Sequence, residues 1–363
     1  MKVFVVTFYR NNYGSCLQAF ALQSKLKECG YDTYLVMPSQ KKRDKRPSGL
    51  TIIKAFFKKE PNYSIYKRIR RKIEGKIYCE KNRKLFEFVK SNAKLISYEE
   101  CLKRLDDSTI LLSGSDQVWN ILNGPISDFF LCNFGNENTK RLSYAASIGL
   151  SDLSESQIKY YINALKLFKI ISFREKRAFD LLSSVLDKEV RVDVDPTLLY
   201  SKEFWDNYCS QRLIDYKYVF VYMLRPDKQL IETARLLAKS LNLKIVYMGQ
   251  YNYHYAGIKS LNTEGIGGFL SAIKFADVVI TNSFHGTLFS VIYGKKFASK
   301  RITSTASRVE SFLSQVNLYN HIIDNPEEYR KALTSYNKEL VWAEIGRMKE
   351  KSIAYLNSMR YVE

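Results

Sequence analysis

Short apolar runs alternate along this chain with stretches in which apolar residues recur every three or four positions. The runs are typical of buried strands and the stretches of amphipathic helices, so the pattern predicts a parallel α/β architecture. In the first half the predicted strands are 3–8, 33–37, 109–112, 142–146 and 169–173, and the predicted helices are 16–29, 154–167 and 175–186. We expect Ser15 to cap the first helix and Gly30 to end it.

A second alternating set follows a break in the pattern at Pro196, within residues 191–199. Its predicted strands are 218–223, 244–248 and 277–281, and its predicted helices are 229–241, 267–275 and 288–293. The predicted fold is therefore α/β with two Rossmann-like domains, 1–195 and 196–325, that enclose an interdomain cleft as in GT-B folds. A basic helical insert at about 40–90 and a C-terminal helical segment at 326–363 complete the prediction.

The composition narrows the class of protein. With 363 residues, 46% of them hydrophobic, the chain can fill two cores, which excludes wholesale disorder. The six cysteines form no CxxC pair and the three histidines no HExxH or HxH group, so we expect a reducing compartment, no disulfide framework and no metal site. The apolar run 2–8 is too short for a signal peptide, and no run of 18 apolar residues occurs. We therefore expect a cytoplasmic protein without a membrane span.

The net charge of +20 is concentrated in one region. Residues 41–84 contain 17 Lys or Arg against 4 Asp or Glu, an excess of 13 positive charges, interleaved with isoleucine, phenylalanine and tyrosine. Such a local excess favours an anionic surface, here the inner face of the cell membrane, over nucleic-acid binding across the whole protein. The alternative is a helical excursion whose apolar side packs on its own domain.

Two polar loops of the first half follow predicted strands. The loop with Asn12, Gly14 and Ser15 opens a helix, a position that suits an anion, although an ordinary capped turn explains it equally. In the loop 113–120, Asp116 is placed to take a proton from a sugar hydroxyl, and Gln117 and Asn120 are placed to hydrogen-bond others. The alternative is that Asp116 shapes a turn and the loop has no chemical role.

Two further positions carry candidate chemistry. The segment 277–287 runs from a strand through a polar loop into a helix, with Thr287 as the expected N-cap. A phosphate bound near His285 would favour the protonated imidazole, which suits a general acid, although a lone histidine in a turn is also a common structural feature. Arg174 falls where a strand ends, and its planar guanidinium suits a carboxylate or phosphate. A salt bridge to Glu175 is the alternative.

Six segments, in this order, resemble the signature motifs of the polysaccharide pyruvyl transferase family. They are Asn-Tyr-Gly-Ser-Cys-Leu-Gln-Ala-Phe-Ala-Leu (12–22), Gly-Ser-Asp-Gln-Val-Trp-Asn (114–120), Ser-Tyr-Ala-Ala-Ser-Ile-Gly (143–149), Phe-Arg-Glu (173–175), Asp-Pro-Thr-Leu-Leu (195–199) and Asn-Ser-Phe-His-Gly-Thr (282–287). Ser307-Arg308-Val309 is similar to a later, weaker feature of the family. The resemblance covers about residues 1–320, and the ordered set is more specific than any single motif.

The resemblance implies a GT-B-like fold with phosphoenolpyruvate in the interdomain cleft. His285 matches the family's catalytic acid, and Arg174 matches an arginine that holds the donor. Many members read Arg-Leu-His-Gly at the histidine, whereas Ser283 stands here in place of the arginine. Either Arg308 or Arg301 replaces its charge, or the donor has changed. The expected donor-binding residues are Asn12, Gly14, Ser15, Arg174, Asn282, Ser283, Gly286, Thr287 and Arg308.

The function implied is the transfer of the enolpyruvyl group of phosphoenolpyruvate to two hydroxyls of a sugar, with release of phosphate and formation of a pyruvate ketal. His285 and Asp116 are the expected catalytic residues, Gln117 and Asn120 the expected acceptor contacts, and phosphoenolpyruvate acts as co-substrate without a cofactor. The acceptor would be a sugar or a lipid-linked oligosaccharide of a cell-surface polysaccharide. The alternatives are a nucleotide-sugar glycosyltransferase of the same fold, or a non-catalytic protein that binds glycan or lipid.

Overall fold

Two parallel sheets, each flanked by helices, form the protein. The structure, a computed structural model, describes residues 1–39, 65–250, 255–302 and 307–362. The strands of the first sheet are β1 (Lys2–Val6), β2 (Asp32–Met37), β3 (Leu95–Ser97), β4 (Ile110–Ser113), β5 (Lys140–Ser143), β6 (Ile170–Phe173) and β7 (Glu189–Val192). Its helices are α1 (Tyr13–Glu28), α2 (Ile65–Asn92), α3 (Tyr98–Lys103), α4 (Glu155–Ala164) and α5 (Lys176–Leu182).

The second sheet repeats this plan. Its strands are β8 (Tyr218–Met223), β9 (Lys244–Gly249), β10 (Lys259–Ser260), β11 (Val278–Thr281), β12 (Lys296–Lys300) and β13 (Ile322–Ile323). The remaining helices are α6 (Lys202–Asp206), α7 (Lys228–Leu241), α8 (Ile266–Lys274), α9 (Phe284–Ile292), α10 (Ser307–Gln315) and α11 (Lys338–Ser358). Single 3₁₀ segments lie at Pro196–Leu199, Tyr319–His321, Pro326–Leu333 and Met359–Tyr361.

The strand order places the polar loops. The order is β3-β2-β1-β4-β5-β6-β7 in the first sheet and β10-β9-β8-β11-β12-β13 in the second. In each sheet the strand order therefore reverses beside the first strand, β1 or β8. Ligands of such sheets bind at the carboxyl ends of the strands where the order reverses. The loops after β1 and β4 in the first sheet, and after β11 in the second, lie at these positions. The two Rossmann-like sheets confirm the α/β fold expected from the sequence.

Continuous apolar runs explain the central strands. Every residue of β4, β6, β8 and β11 is buried. Strands of a parallel sheet that carries helices on both faces lose solvent contact on both faces, which is why these strands read as unbroken apolar runs rather than as alternating ones. The edge strand β7 is instead half-buried, with Glu189 exposed.

Helices α1 and α11 connect the two sheets. The ring of Tyr13 in α1 stacks on Phe269 of α8, with ring centroids 4.8 Å apart, and its hydroxyl donates to the Glu264 carbonyl at 2.8 Å. Helix α11 returns to the first sheet, where the Tyr355 hydroxyl donates to the Ser143 carbonyl at 2.9 Å. These contacts hold the carboxyl edges of the two sheets against each other.

Two expected helix starts are wrong, and the C-terminal segment is helical as expected but interrupted. Helix α1 begins earlier than expected, because the N-cap is Asn12, whose Oδ1 accepts from the amides of Gly14 and Ser15 at 2.8 and 3.4 Å. Helix α9 begins at Phe284 rather than at 288, because Ser283 is its N-cap in place of Thr287. The C-terminal segment is divided by a break at residues 334–337 between a 3₁₀ segment and α11. The expected stop after α1 is correct, since Gly30 has a φ of 85°.

Helix α2 covers the second part of the expected basic insert, while 40–64 lie outside the described residues. Its second half is embedded in the protein: Leu85 and Val89 belong to the core, and the buried Lys81 donates to the carbonyls of Gly249 and Gln250 at 3.2 and 2.7 Å. From Lys81 onward, therefore, α2 packs on the protein itself: Lys81 reaches the end of β9, and Phe88 packs on Phe20 of α1. Across the described part of the chain, no helix is both long enough and apolar enough to cross a bilayer.

Candidate active site

Helix α1 of the first sheet and helix α9 of the second are in contact at Gly14 and His285. A Cβ atom placed on Gly14 would lie 2.0 Å from His285 Nδ1 and 2.3 Å from its Cγ, so no side chain fits there without displacing the imidazole. The His285 side chain is only 6% exposed. The first turn of α1 thus forms one wall of the histidine's environment, and the start of α9 supplies the histidine itself.

Asp195 connects the catalytic candidates. Its Oδ2 accepts from Arg174 Nη1 at 2.8 Å and lies 3.3 Å from His285 Nε2, which has no aligned hydrogen bond. Its Oδ1 accepts from the amide and the hydroxyl of Thr197 at 3.0 and 2.7 Å, because Asp195 caps the 3₁₀ segment Pro196–Leu199. Burial acts to raise the pKa of this carboxyl, but His285 and Arg174 outweigh it and the pKa is lowered. Asp195 is therefore an ionised counter-charge for both.

Sequence reasoning did not select Asp195 as a site residue. It appeared only as the first residue of Asp-Pro-Thr-Leu-Leu, beside the expected domain boundary. The available signal was its position: an N-cap aspartate three residues after β7 lies at the same sheet edge as Arg174, which directly follows β6. Parallel strands end at a common edge, so the two side chains are brought together.

Asp116 lies next to this cluster in a strained conformation. Its φ of 77° is uncommon for a residue with a side chain, and such strain is often found at functional sites. Its Oδ2 accepts from the Ser15 hydroxyl at 2.5 Å, and its Oδ1 accepts from the Gln117 amide at 2.8 Å. Burial acts to raise the pKa of Asp116, yet the positive charges of Arg174 and His285 and the Ser15 hydrogen bond lower it overall. The group is an ionised carboxylate.

Two buried guanidinium groups carry unused donors. Arg174 is 6% exposed and Arg308 is 7% exposed, and they contact the ring of Phe284 with Cζ to centroid distances of 4.4 and 5.8 Å. Arg174 Nη2 and Arg308 Nε have no hydrogen-bond partner among the described residues. Burial, together with the neighbouring charge of Arg174, lowers the pKa of Arg308 to about 10. Unpaired buried donors of this kind are costly unless a ligand satisfies them, so the pair is suited to an anion.

The position of Arg308 bears on the departure at Ser283. Ser283 is buried, and its hydroxyl accepts from the Gly286 amide at 3.2 Å, so it serves as a helix cap with no charge. Arg301 is engaged elsewhere, since its Nη1 pairs with Glu310 at 2.8 Å and its Nη2 pairs with Asp324. Arg308 is therefore the better placed of the two arginines to replace the missing charge.

The loop amides expected to hold the donor already have partners. Gly14 and Ser15 donate to Asn12 Oδ1, Gly286 donates to Ser283 Oγ, and Thr287 donates to the Ser283 carbonyl at 2.9 Å. The Thr287 hydroxyl also donates to that carbonyl, and Asn282 bonds the backbone of Leu224 and Arg225 through its side-chain amide. Among the expected donor-binding residues that the structure describes, the unpaired side-chain donors are on Arg174 and Arg308.

The two expected acceptor contacts differ. Asn120 Nδ2 donates to the Ile148 carbonyl at 2.8 Å and its Oδ1 accepts from the Leu122 amide at 2.9 Å, so its amide holds the loop. Gln117 Nε2 is buried and has no hydrogen-bond partner among the described residues. Of these two side chains, only Gln117 has an unpaired hydrogen-bond donor. Within the described ranges there is no group of three or more His, Cys, Asp or Glu side chains that could hold a metal ion.

The fold is a GT-B-like architecture of two Rossmann-like sheets, with the candidate site between them. The family model for polysaccharide pyruvyl transferases matches residues 12–300, and the chain belongs to this family. Comparison with curated proteins gives no significant match.

Solved structures with the same fold include two that are similar over nearly the whole chain. MnaA of S. aureus, in a co-structure with UDP, is 12% identical with a TM-score of 0.55, covering 100% of this chain and 98% of its own. A putative UDP-N-acetylglucosamine 2-epimerase from Listeria monocytogenes is 13% identical with a TM-score of 0.51, covering 99% of this chain and 96% of its own. At such identities the likeness concerns the fold alone.

Proposed function

We propose that this transferase moves the enolpyruvyl group of phosphoenolpyruvate to two hydroxyls of one sugar, forming a pyruvate ketal during the biosynthesis of a cell-surface polysaccharide. The observation that carries the proposal is the placement of His285 beside two buried guanidinium groups with unused donors, Arg174 and Arg308. A small donor that bears both a carboxylate and a phosphate matches two such cations.

His285 is the proton donor in this proposal. It protonates the methylene carbon of the donor, which becomes a methyl group and leaves cationic character at C2. One sugar hydroxyl forms a bond to C2, the bond from C2 to the phosphate oxygen breaks, and the second hydroxyl closes the ketal. Of the two hydroxyl protons released, one leaves with phosphate and one restores His285. Phosphoenolpyruvate is the co-substrate, and the scheme uses no separate cofactor.

Two carboxylates support these steps. Asp195 lies 3.3 Å from His285 Nε2 and provides a counter-charge for the imidazolium before the proton is transferred. Asp116 is ionised, and we propose that it accepts the proton of the attacking hydroxyl once the Ser15 hydroxyl has moved away, and passes this proton to the departing phosphate. We propose that the side-chain Nε2 of Gln117, on the same loop and without a partner among the described residues, donates to another sugar hydroxyl.

The acceptor we propose is a lipid-linked saccharide on the cytoplasmic face of the membrane. The excess of 13 positive charges in residues 41–84, from 17 basic and 4 acidic residues, supports a docking of the enzyme on anionic lipid there. Because Lys81 and the residues after it pack on the protein itself, we assign this contact to the part of the segment that precedes Lys81.

A binding panel separates this proposal from a nucleotide-sugar glycosyltransferase. We expect phosphoenolpyruvate to raise the melting temperature while UDP and GDP do not, because a ligand that binds the native state stabilises it. We expect His285→Gln to keep this shift and to lower turnover at least about a hundredfold, the scale of general acid catalysis. Stabilisation by a nucleotide alone, or near-normal turnover of His285→Gln, would contradict the proposal.

A further inference from the structure

A cavity of about 330 Å³ adjoins Arg174 and Arg308. It is formed by the ends of β6 and β7, the start of α9, and one face each of α10 and α11. Arg174, Asp195 and Phe284 contribute to its walls, whereas His285 and Asp116 do not. The cavity therefore reaches the two guanidinium groups from the side that faces the C-terminal helix.

Most carboxylate oxygens around the cavity already accept hydrogen bonds from the protein. Asp195 binds Arg174 and Thr197, and Asp193 accepts from Arg191 Nε and Nη2 at 2.7 and 3.0 Å. Glu175 Oε1 accepts from the Ser147 hydroxyl at 2.5 Å, and its Oε2 has no partner. The lining therefore includes one residue with an unused acceptor, Glu175, and two residues with unused cationic donors, Arg174 and Arg308, a set that matches a phosphate with one protonated oxygen.

The mouth of the cavity adds positive charge. Lys176 and Lys351 lie among its lining residues, Lys176 in an exposed pair with Asp180. Lys351 is exposed and forms no ion pair with any other described residue. With Arg174 and Arg308, these lysines give four cations against the three carboxylates of Glu175, Asp193 and Asp195 in the lining. A volume of this size is at the low end for ligand sites, which favours a small anion over a nucleotide sugar.

We propose that this cavity binds the phosphate of the donor and releases it after transfer, and that Lys351 of α11 sets the affinity for that phosphate. The proposal rests on the proposed function, because it takes phosphoenolpyruvate as the donor. Arg308, Gln315 and Lys351 all lie beyond residue 300, after the part of the chain that the family model matches. The C-terminal helix thus supplies one wall of this phosphate site.

The test measures anion binding directly. Inorganic phosphate and phosphoenolpyruvate are titrated calorimetrically into the full-length wild type, Lys351→Gln and Lys351→Glu. The matched control is Arg347→Gln, which removes one positive charge one turn earlier on α11, from an exposed side chain outside the cavity. For an exposed charge we expect Lys351→Gln to weaken the binding of both anions up to about fivefold, and Lys351→Glu to weaken it further. The control should bind like the wild type.

The outcomes separate the two claims. If wild type binds phosphoenolpyruvate but the Lys351 variants bind as the Arg347→Gln control does, the cavity assignment is overturned and the proposed function is not. If wild type binds phosphate but not phosphoenolpyruvate, and Lys351 matters, the cavity is a phosphate site and the proposed donor is wrong. Binding of neither anion to the wild type would overturn both.

Discussion

Gly14→Ala tests the contact between the two sheets at the catalytic histidine. The new Cβ would lie 2.0 Å from His285 Nδ1, whereas ordinary contacts begin at 3.4 Å, so one of the two groups must move by about 1.4 Å. Gly14 lies in the first turn of α1 and its backbone suits alanine, so the substitution itself favours the helix. The cost is therefore expected at the imidazole. A displacement of about 1 Å at a catalytic group lowers turnover on the order of a hundredfold.

The matched control for this variant is Gly346→Ala in α11. A Cβ on Gly346 meets nothing within 4 Å, so this variant gains helix propensity without a clash. We expect it to raise the free energy of unfolding by up to about 1 kcal/mol with turnover unchanged. Steady-state kinetics and urea unfolding of both variants provide the comparison. A Gly14→Ala enzyme with wild-type turnover would show that the position of His285 against α1 is not needed, which would refute the reasoning.

Three further predictions concern Asp195, Lys81 and the basic segment of α2. Asp195→Asn removes the shared counter-charge of Arg174 and His285, so we expect urea unfolding to give a free energy lower by about 3 kcal/mol; an unchanged value would exclude the buried pairing. Burial lowers the pKa of Lys81 from 10.5 to about 8. Between pH 8 and 10.5 the unfolded chain keeps a proton on Lys81 that the folded chain has lost. The free energy of unfolding of the wild type, relative to Lys81→Met, should therefore rise as the pH increases from 8 to 10, by at most about 3 kcal/mol. A flat difference would contradict it. Finally, liposome sedimentation should require anionic lipid and weaken with salt, and should fall when Arg68, Arg70, Arg71 and Lys72 become glutamine; equal pelleting with neutral vesicles would remove the membrane role.

Most of the fold follows from periodicity alone. Strands such as β8 and β11 are unbroken apolar runs bounded by polar loops, and their order along the chain fixes the parallel sheets. The helix starts were harder to predict. Asn12 and Ser15 are both good N-caps, and so are Ser283 and Thr287; the choice between them depends on tertiary packing that places the first turn of each helix in the interface. Cap chemistry by itself leaves both choices open.

The site was predictable where it depended on sheet edges and not where it depended on contacts between sheets. His285, Asp116 and Arg174 each follow a strand within four residues, which is why a sequence pattern selects them. The pairing of Asp195 with His285 joins residues 90 positions apart, one after a strand of the first sheet and one after a strand of the second, and no local pattern predicts it. The same holds for Lys81, whose partners are carbonyls of the second sheet. Long-range polar contacts are properties of the packed fold.

The central claim is that phosphoenolpyruvate is the donor of a ketal-forming transfer. The most direct measurement is phosphate release from phosphoenolpyruvate in the presence of candidate lipid-linked saccharides, with mass spectrometry of the saccharide. We predict that release requires the acceptor, that one pyruvate ketal forms for each phosphate released, and that His285→Gln abolishes both signals together. Phosphate release without a modified saccharide, or a saccharide that gains a sugar from a nucleotide donor instead, would contradict the account.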